Sequence, residues 1–304
     1  MINKLRRGFK SLFSSLAHWA RDYHDEQLLA TGALLSKQQY LMNSSNIHDY
    51  EFKIFSQFGD DGIIQYLIKH VEIENETFIE FGVEDYMESN TRFLLLNNNW
   101  SGYVMDGSAN AMNRLGGQSW YWKHALEKKA AFIDKNNINE LLSYSGFSNL
   151  GLLHIDLDGN DYYILETIDF ERYNPSILVL EYNAVFGKER AISVPYDPTF
   201  VRTKKHYSNL YFGASLPALT HEAERKGYKL VACNLAGNNA YFIREDLMTD
   251  RFKALTAKEA FVESKFRESR AEDHSLSLLS GEKRLELIKG LEVFNVISKQ
   301  TEKL

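Results

Sequence analysis

The 304-residue sequence has little of several features that mark particular classes of protein. Its single cysteine, Cys233, allows no internal disulfide, which favours a reducing, cytoplasmic compartment. Four prolines and no low-complexity run argue against long disordered linkers. The net charge of −6 is not the basic excess of nucleic-acid-binding proteins, so we expect no nucleic-acid partner. No apolar run approaches the roughly 20 residues of a membrane-spanning helix.

The residues that are present indicate a large folded core, because 44% are apolar and 13% aromatic. The most informative stretch, Thr77–Ser108, predicts a strand, a turn at Gly82, a helix and a second strand ending at Asp106. In an open α/β sheet, ligands bind outside the carboxyl ends of the strands. Gly82 would let the backbone approach a ligand, and Asp106 is placed to hold a ribose diol. We therefore expect a nucleoside-containing cofactor here.

Strand and helix patterns alternate through most of the chain. Strands are predicted at 77–81, 102–105, 129–133, 151–155 and 177–180, with a closing hairpin at 228–233 and 240–244. The pattern predicts an α/β fold, a doubly wound, Rossmann-like sheet of seven strands with six parallel and the last antiparallel. Helical additions are predicted at both ends, which divides the chain into residues 1–50, 51–250 and 251–304. The last of these should hold two or three helices, the first opened by a capping box at Thr256.

Acidic and amide side chains follow three of the predicted strands. They are Glu80 after the first strand, Asp156 and Asp158 after the fourth, and Glu181 and Asn183 after the fifth. Because the carboxyl ends of parallel strands share one edge, these side chains should converge. The four after the later strands offer the oxygen ligands that Mg²⁺ or Ca²⁺ prefers. Alternatively, Asp156 or Asp158 is a general base for an alcohol, with its pKa raised by burial or by a neighbouring carboxylate.

A long connection, residues 186–209, carries further polar groups. His206 is a candidate catalytic base, weighed against a solvated histidine. Arg202, Lys204 and Lys205 either bind a phosphate or carboxylate of an acidic acceptor or belong to a solvated loop. A connection of this length in a compact domain is usually functional or disordered. Residues 265–270 either cover the acceptor site as a lid or form a dimer contact.

The turn after the first strand distinguishes two classes of cofactor. A dinucleotide-binding site needs the spacing G-x-G-x-x-G, so that backbone and helix N-terminus approach the pyrophosphate. Here the turn holds one glycine, Gly82, and two acids, Glu84 and Asp85, which would repel a pyrophosphate. These acids suit a cofactor with a cationic end, such as S-adenosylmethionine. Gln57 is expected near the mouth of the same site.

Several segments, taken together and in order, resemble one family. The segments are FIEFGVEDYMESNTRFLL, WSGYVMDG, LLHIDLDGNDYYILETI, ILVLEYN, VPYDPTF, YFGASLPAL and KGYKLVACNLAGNNAYFIREDL. They are similar to the FkbM-like branch of class I S-adenosylmethionine-dependent methyltransferases, over roughly residues 52–250. The resemblance implies the seven-stranded methyltransferase fold and O-methylation of a small-molecule or glycan acceptor, at a hydroxyl of a sugar, glycan or related metabolite.

The resemblance also implies roles for particular positions. Glu80 and Gly82 would form the turn beside the methionine moiety, and Asp106 would hold the ribose. Phe132, Ile133 and Asp134 would border the adenine, and Asp156 would face the sulfonium and the incoming hydroxyl. Tyr86 departs from the family pattern, because a small residue usually stands there, and its side chain would narrow the methionine pocket. The alternative function is a catalytically inactive scaffold that kept the fold.

The N-terminal 22 residues combine spaced apolar residues with basic ones. Such a helix docks on its own domain, docks on a second subunit in a homodimer, or lies in a membrane interface. Docking is the commoner use, and peripheral membrane contact is the alternative.

Overall fold

The computed structural model describes the backbone of residues 2–304 and the side chains from residue 20 onward. The helices are α1 (Ile2–Gln39), α2 (Asp60–His70), α3 (Arg92–Asn98), α4 (Ala109–Gly116), α5 (Ile138–Ser143), α6 (Asp161–Thr167), α7 (Phe170–Tyr173), α8 (Arg202–Lys205), α9 (Leu216–Arg225), α10 (Ala257–Ala260) and α11 (Glu282–Ile288). The strands are β1 (Thr77–Phe81), β2 (Ser101–Asp106), β3 (Leu126–Ala130), β4 (Leu152–Ile155), β5 (Ile177–Glu181), β6 (Ile192–Ser193), β7 (Tyr228–Cys233), β8 (Asn239–Arg244), β9 (Glu292–Asn295) and β10 (Gln300–Lys303).

Seven of the strands form the main sheet, in the order β3-β2-β1-β4-β5-β8-β7. Strands β1 to β5 run parallel, whereas β8 is antiparallel to both β5 and β7. The predicted doubly wound sheet with a reversed last strand is therefore confirmed. The strand order reverses between β1 and β4, which places the ligand-binding crevice at their carboxyl ends.

Both faces of the sheet are covered, because successive side chains of a strand point to opposite faces. In β1, Ile79 and Phe81 pack into a cluster with residues of α5, α6 and α9, while Phe78 packs with residues of α2 and α3 on the other side. Ile79, Phe81 and Phe78 are all fully buried. This explains why the strands read as continuous apolar runs rather than as an alternation.

The N-terminal addition is helical, as predicted, but its second half does not stand apart from the sheet domain. A Cβ atom on Gly32 would collide with the ring of Phe93, so α1 packs closely against α3. Asp25 forms an ion pair of 2.5 Å with the buried guanidinium of Arg92. The spaced apolar residues of this N-terminal segment, from Ile2 to Trp19, lie outside those whose side chains the structure describes.

The C-terminal addition contains two helices, within the predicted two or three, together with a hairpin that was not predicted. Thr256 and Glu259 do form the predicted capping box at the start of α10, and α11 follows. The remainder is a hairpin, in which β9 pairs with both β10 and β6 to form a second, three-stranded sheet. Val293 of β9 is fully buried in a cluster with Ile192 of β6. The partner of this hairpin lies a hundred residues earlier in the chain, so local periodicity could not indicate it.

Within the part of the chain described, no helix has both the length and the apolar character needed to cross a membrane.

Candidate active site

A cavity of about 690 Å³ lies along the carboxyl ends of β1, β2, β4 and β5, a volume within the range of small-molecule sites. Nine of the twelve residues predicted as catalytic, cofactor-binding or metal-binding line it. They are Gln57, Glu80, Gly82, Asp106, Phe132, Ile133, Asp156, Asp158 and Glu181. Three predicted residues, Asp134, Asn183 and His206, are not among the lining residues.

Asp106 ends β2 at one side of the cavity and ties two loops together. Its Oδ2 accepts a hydrogen bond from the Glu84 backbone N–H (2.8 Å), and its Oδ1 accepts one from that of Ser108 (2.7 Å). A carboxylate has about four lone-pair sites, so acceptor capacity remains for a diol. Phe132, which is 52% exposed, and Ile133 supply apolar surface to the same cavity. These groups suit a nucleoside.

Gly82 brings the turn after β1 against the end of β4. Its φ is +69°, and a Cβ atom there would collide with the backbone oxygen of Asp156. Only glycine meets both conditions without strain. The turn expected beside the methionine moiety is therefore in direct contact with the residue expected to face the reacting atoms.

Glu80 lines the cavity, but its carboxylate is occupied by the protein itself. Its Oε1 accepts from the Asn90 backbone N–H (3.0 Å) and contacts Nδ1 of His154 (2.9 Å). Its Oε2 accepts from the Ser89 hydroxyl (2.5 Å) and from both the N–H (3.1 Å) and the hydroxyl of Thr91. Glu80 therefore anchors the loop between β1 and α3, and we reassign it from a cofactor contact to a positioning residue.

The Glu80–His154 pair is buried in the sheet, where the two residues lie opposite each other on β1 and β4. Burial alone would raise the pKa of Glu80, but hydrogen bonds from His154, Ser89 and Thr91 lower it below its usual value. Burial alone would lower the pKa of His154, but Glu80 raises it above its usual value. Both shifts favour a charged pair.

Tyr86 does not narrow the cavity, contrary to the prediction. It is fully buried with φ +64°, its hydroxyl is hydrogen-bonded to Thr91 (2.8 Å), and its ring lies 6.2 Å from that of Trp120. The left-handed backbone turns the side chain into the core on the α2–α4 side of the sheet. Tyr86, whose expected narrowing of the pocket favoured the inactive scaffold, is thus a residue of the hydrophobic core.

Three carboxylates converge at the other side of the cavity. Asp156, Asp158 and Glu181 each offer an oxygen, and these oxygens lie within 4.8 Å of one another. Burial and the neighbouring Asp158 raise the pKa of Asp156 to about 7. Burial and the neighbouring Asp156 raise the pKa of Glu181 well above its usual value. A carboxylate with a pKa near neutrality is suited to accept a proton from an alcohol.

The predicted metal site is only partly assembled. Asn183 donates hydrogen bonds to the backbone oxygens of Leu210 and Phe212 and accepts one from the N–H of Val185, so its amide is occupied within the loop. Asp158 forms an ion pair of 2.8 Å with Arg202. Two of the four expected ligands are thus engaged elsewhere, and the set fits Mg²⁺ poorly.

The other residues outside the cavity have local structural roles. Nδ1 of His206 lies 2.7 Å from the Ser208 hydroxyl, within its own loop. Asp134 accepts hydrogen bonds from the backbone N–H groups of Asn136 (2.7 Å) and Asn137 (3.0 Å) at the start of α5. Strand β3 ends at Ala130, three residues before the predicted end, which moves Asp134 past the cavity. We therefore remove His206 and Asp134 from the candidate site.

The basic cluster of the long loop does not form a free anion site. Arg202 reaches the cavity, but it is paired with Asp158 and lies 3.6 Å from Glu268. Lys205 pairs with Asp197 at 2.5 Å. Glu268 belongs to the segment 265–270, which therefore touches the rim of the acceptor side. Two of the three predicted basic residues are thus paired with acids of the protein, and the third, Lys204, is exposed.

Sequence reasoning missed His154, Asn238 and Asn239, all of which line the cavity. A signal for His154 was present, because it is the one polar residue of the buried strand Leu152–Ile155. Asn238 and Asn239 follow the turn between β7 and β8, and only the insertion of β8 beside β5 brings them to this edge.

Three solved structures that match this chain have low sequence identity to it. The N-terminal domain of EvdMO1 with SAH bound is 11% identical, with a TM-score of 0.40, over 62% of this chain and 80% of that one. TrmK of M. capricolum, in complex with S-adenosylhomocysteine, is 13% identical, with a TM-score of 0.37, over 66% and 74%. An S-adenosylmethionine-dependent methyltransferase from Clostridium acetobutylicum is 9% identical, with a TM-score of 0.37, over 60% and 89%.

No protein-family model and no curated protein matches the sequence. The resemblance to the FkbM-like branch therefore stays a prediction. The fold class rests on the strand order and directions of the sheet itself.

Proposed function

We propose that this protein is an S-adenosylmethionine-dependent O-methyltransferase whose acceptor is a hydroxyl of a sugar, glycan or related small metabolite. One observation carries the proposal. A single cavity joins a nucleoside-compatible side, at Asp106 and Phe132, to a carboxylate with a raised pKa, at Asp156, across the close contact at Gly82. The acceptor class comes from the family resemblance.

In this proposal the cofactor lies across the ends of β1 and β2. Asp106 accepts hydrogen bonds from the ribose hydroxyls, and Phe132 and Ile133 cover the adenine. The methionine moiety follows the Gly82 turn, whose backbone approaches closely because no side chain intervenes. Glu84 at this turn favours a cofactor that carries positive charge, whereas Asp85 is paired with Arg114.

Transfer is an in-line displacement in which the acceptor oxygen attacks the methyl carbon. The carbon–sulfur bond breaks and its electron pair stays on sulfur, which becomes a neutral thioether. The hydroxyl proton passes to the Asp156 carboxylate. The protein chiefly aligns donor and acceptor, since well-oriented reactants gain a large effective concentration. No step involves a metal.

The proposal is tested by calorimetric titration of the protein with S-adenosylmethionine and S-adenosylhomocysteine, with and without Mg²⁺. We expect micromolar binding that is independent of Mg²⁺. Absence of binding in both conditions would overturn the proposal and restore the scaffold alternative. Binding only with Mg²⁺ would restore the metal set predicted from the sequence.

Asp106→Ala should weaken S-adenosylhomocysteine binding by about tenfold or more, because it removes a charge-assisted contact to the ribose. The measurement is the same titration, with thermal unfolding to verify folding. Asp250→Ala, which removes an exposed acid away from the cavity, is the matched control. Wild-type affinity in the Asp106 variant would exclude this carboxylate from the site.

The transfer rate should rise with pH through about 7 and then level off. Asp156 accepts the proton only when ionised, and its pKa is about 7, so protonation inactivates the base as pH falls. The check is the pH profile of kcat/KM for the acceptor at saturating cofactor, which reports the ionisation of the acceptor-free site. A profile that is flat between pH values well below and well above 7 would exclude this group as the base.

The homodimer and the peripheral membrane contact stay predictions, since the N-terminal side chains that carry them lie outside the described part of the chain.

A further inference from the structure

Glu181 is a buried carboxylate without a donor. It ends β5 on the cavity wall and is 9% exposed. Among the described residues, no amide, hydroxyl or basic group donates a hydrogen bond to its side chain, and its hydrogen-bond partner is another acid, Asp156. A buried ionised carboxylate is costly unless a cation or several donors accompany it. Without a ligand this cost is relieved when Glu181 and Asp156 share a proton, and a cation that enters the cavity can take the place of that proton.

The nearest cation of the protein does not meet this need. Arg202 directs Nη1 to Asp158 at 2.8 Å and Nη2 towards Glu268 at 3.6 Å. The guanidinium carbon of Arg202 also lies 3.7 Å from the centre of the Phe212 ring. Arg202 pairs directly with Asp158, and although its charge also acts on Glu181, it donates no hydrogen bond to Glu181 or Asp156.

The rest of the cavity does not supply a cation either. The acids on its wall are Glu80, Glu84, Asp85, Glu88, Asp106, Asp156, Asp158 and Glu181, and the basic side chains are Arg114, His154 and Arg202. Arg114 pairs with Asp85, and His154 pairs with Glu80. Every described basic side chain on the wall is thus engaged, and the excess charge is negative.

Building on the proposed function, we propose that the acceptor carries a protonated amine beside the hydroxyl that is methylated, and that Glu181 recognises this ammonium. Glu181 is then a specificity-determining residue, Asp156 is the base, and acceptors with a phosphate or carboxylate at this position are excluded. An amino-alcohol, including an amino sugar, has the required chemistry.

The spacing of the carboxylates suits an ammonium group. Two acceptors that bond to a tetrahedral ammonium at about 2.8 Å are separated by about 4.6 Å. The oxygens of Asp156, Asp158 and Glu181 lie within 4.8 Å of one another. An ammonium can therefore contact Asp156 and Glu181 together, with the adjoining hydroxyl next to Asp156, while Asp158 keeps its ion pair with Arg202.

The acceptor is a better source of this ammonium than the cofactor. The Gly82 turn follows β1, whereas Glu181 ends β5, and β4 lies between these strands. Neighbouring strands are about 4.8 Å apart, so Glu181 is about two strand spacings from the cofactor turn. The amine of the methionine moiety belongs at the turn, and a second ammonium belongs with the acceptor.

An ammonium would also prepare the base for reaction. Without a cation, Asp156 and Glu181 repel each other and favour sharing a proton. A bound ammonium replaces that proton and leaves Asp156 ionised. Asp156 then accepts the proton of the neighbouring hydroxyl. Binding of a cationic acceptor therefore also ionises the carboxylate that deprotonates it.

The test measures binding of three probes to the protein saturated with S-adenosylhomocysteine, by ligand-observed NMR titration. Glucosamine carries the ammonium beside hydroxyls, glucose is its neutral counterpart, and glucuronate carries a carboxylate. We expect glucosamine to bind about tenfold more tightly than glucose, as a charge-assisted contact does relative to a neutral one, and glucuronate to bind most weakly. Equal binding of glucosamine and glucose, or no binding of either, would overturn the inference.

Glu181→Gln should bring the ratio of glucosamine to glucose affinity close to one while S-adenosylhomocysteine affinity stays within about threefold. Glu286→Gln, an exposed acid on α11, is the control that should keep the wild-type ratio. An unchanged ratio in Glu181→Gln would exclude this residue as the recognition group.

Two further arms separate the alternatives. Titration with S-adenosylhomocysteine lacking its α-amino group tests the cofactor as the source of the ammonium. If Glu181→Gln abolishes the preference for the natural cofactor over this analogue, the acceptor assignment is wrong. Failure of S-adenosylhomocysteine to bind at all would overturn the proposed function, whereas binding without amine preference would overturn only this inference.

Discussion

Asp156→Asn should lower the rate of methyl transfer by about 10²- to 10⁴-fold, the usual contribution of a positioned general base. The asparagine amide has the same shape but cannot accept the proton of the hydroxyl. Cofactor affinity should change by less than about threefold, because the contact between Gly82 and position 156 is made by the backbone oxygen, which the substitution keeps.

The measurements are single-turnover transfer with an acceptor identified from the probe series, and calorimetric titration with S-adenosylhomocysteine. Asp273→Asn, in an exposed turn, is the matched control for an acid-to-amide change. A variant that keeps the wild-type rate would show that the base is another group. A variant that loses cofactor affinity and rate together would instead give Asp156 a binding role.

Glu80→Gln should lower the free energy of unfolding by about 3 kcal/mol, because it leaves His154 as a buried, unpaired charge. The carboxylate accepts hydrogen bonds from backbone and hydroxyl donors of the loop 89–91 on both of its oxygens. The side-chain amide of glutamine has one oxygen and one NH₂ group. In either orientation its NH₂ group would face at least one of these donors, so rotating the amide cannot restore all the hydrogen bonds.

Denaturant unfolding monitored by fluorescence measures this change. Glu88→Gln lies on the same loop, but its partner Lys53 is 3.6 Å away and both side chains are more than half exposed, so its effect should stay within about 0.5 kcal/mol. An equally small effect for Glu80→Gln would show that the buried pair does not hold this loop. The variant should also bind cofactor more weakly, because the loop borders the cavity.

Much of the sheet could be predicted from local pattern. Strand β1 has the predicted bounds Thr77–Phe81, and the hairpin that places β8 in reverse was also expected. Apolar runs bounded by turn residues are local signals, and the carboxyl ends of parallel strands meet whatever their order. For this reason Asp106, Asp156, Asp158 and Glu181 were correctly expected along one edge.

Other features depend on partners that are distant in sequence. The pairing of β9 with β6, and the core position of Tyr86, follow from packing against distant residues rather than from local periodicity. Likewise, the roles of Glu80 and Asn183 changed once their hydrogen-bond partners were known. The sequence alone does not distinguish an acid that faces a ligand from one that faces a buried histidine.

The sequence by itself determined the fold class, the edge that holds the cavity and the acids that lie there, because these follow from residue spacing and strand direction. Only the tertiary structure decided which of those acids are free. Glu80 is held by His154, and Asp158 is held by Arg202, whereas Glu181 has no donor within the described protein. Whether a carboxylate is paired depends on the three-dimensional approach of another chain segment, and that approach sets its charge and its chemistry.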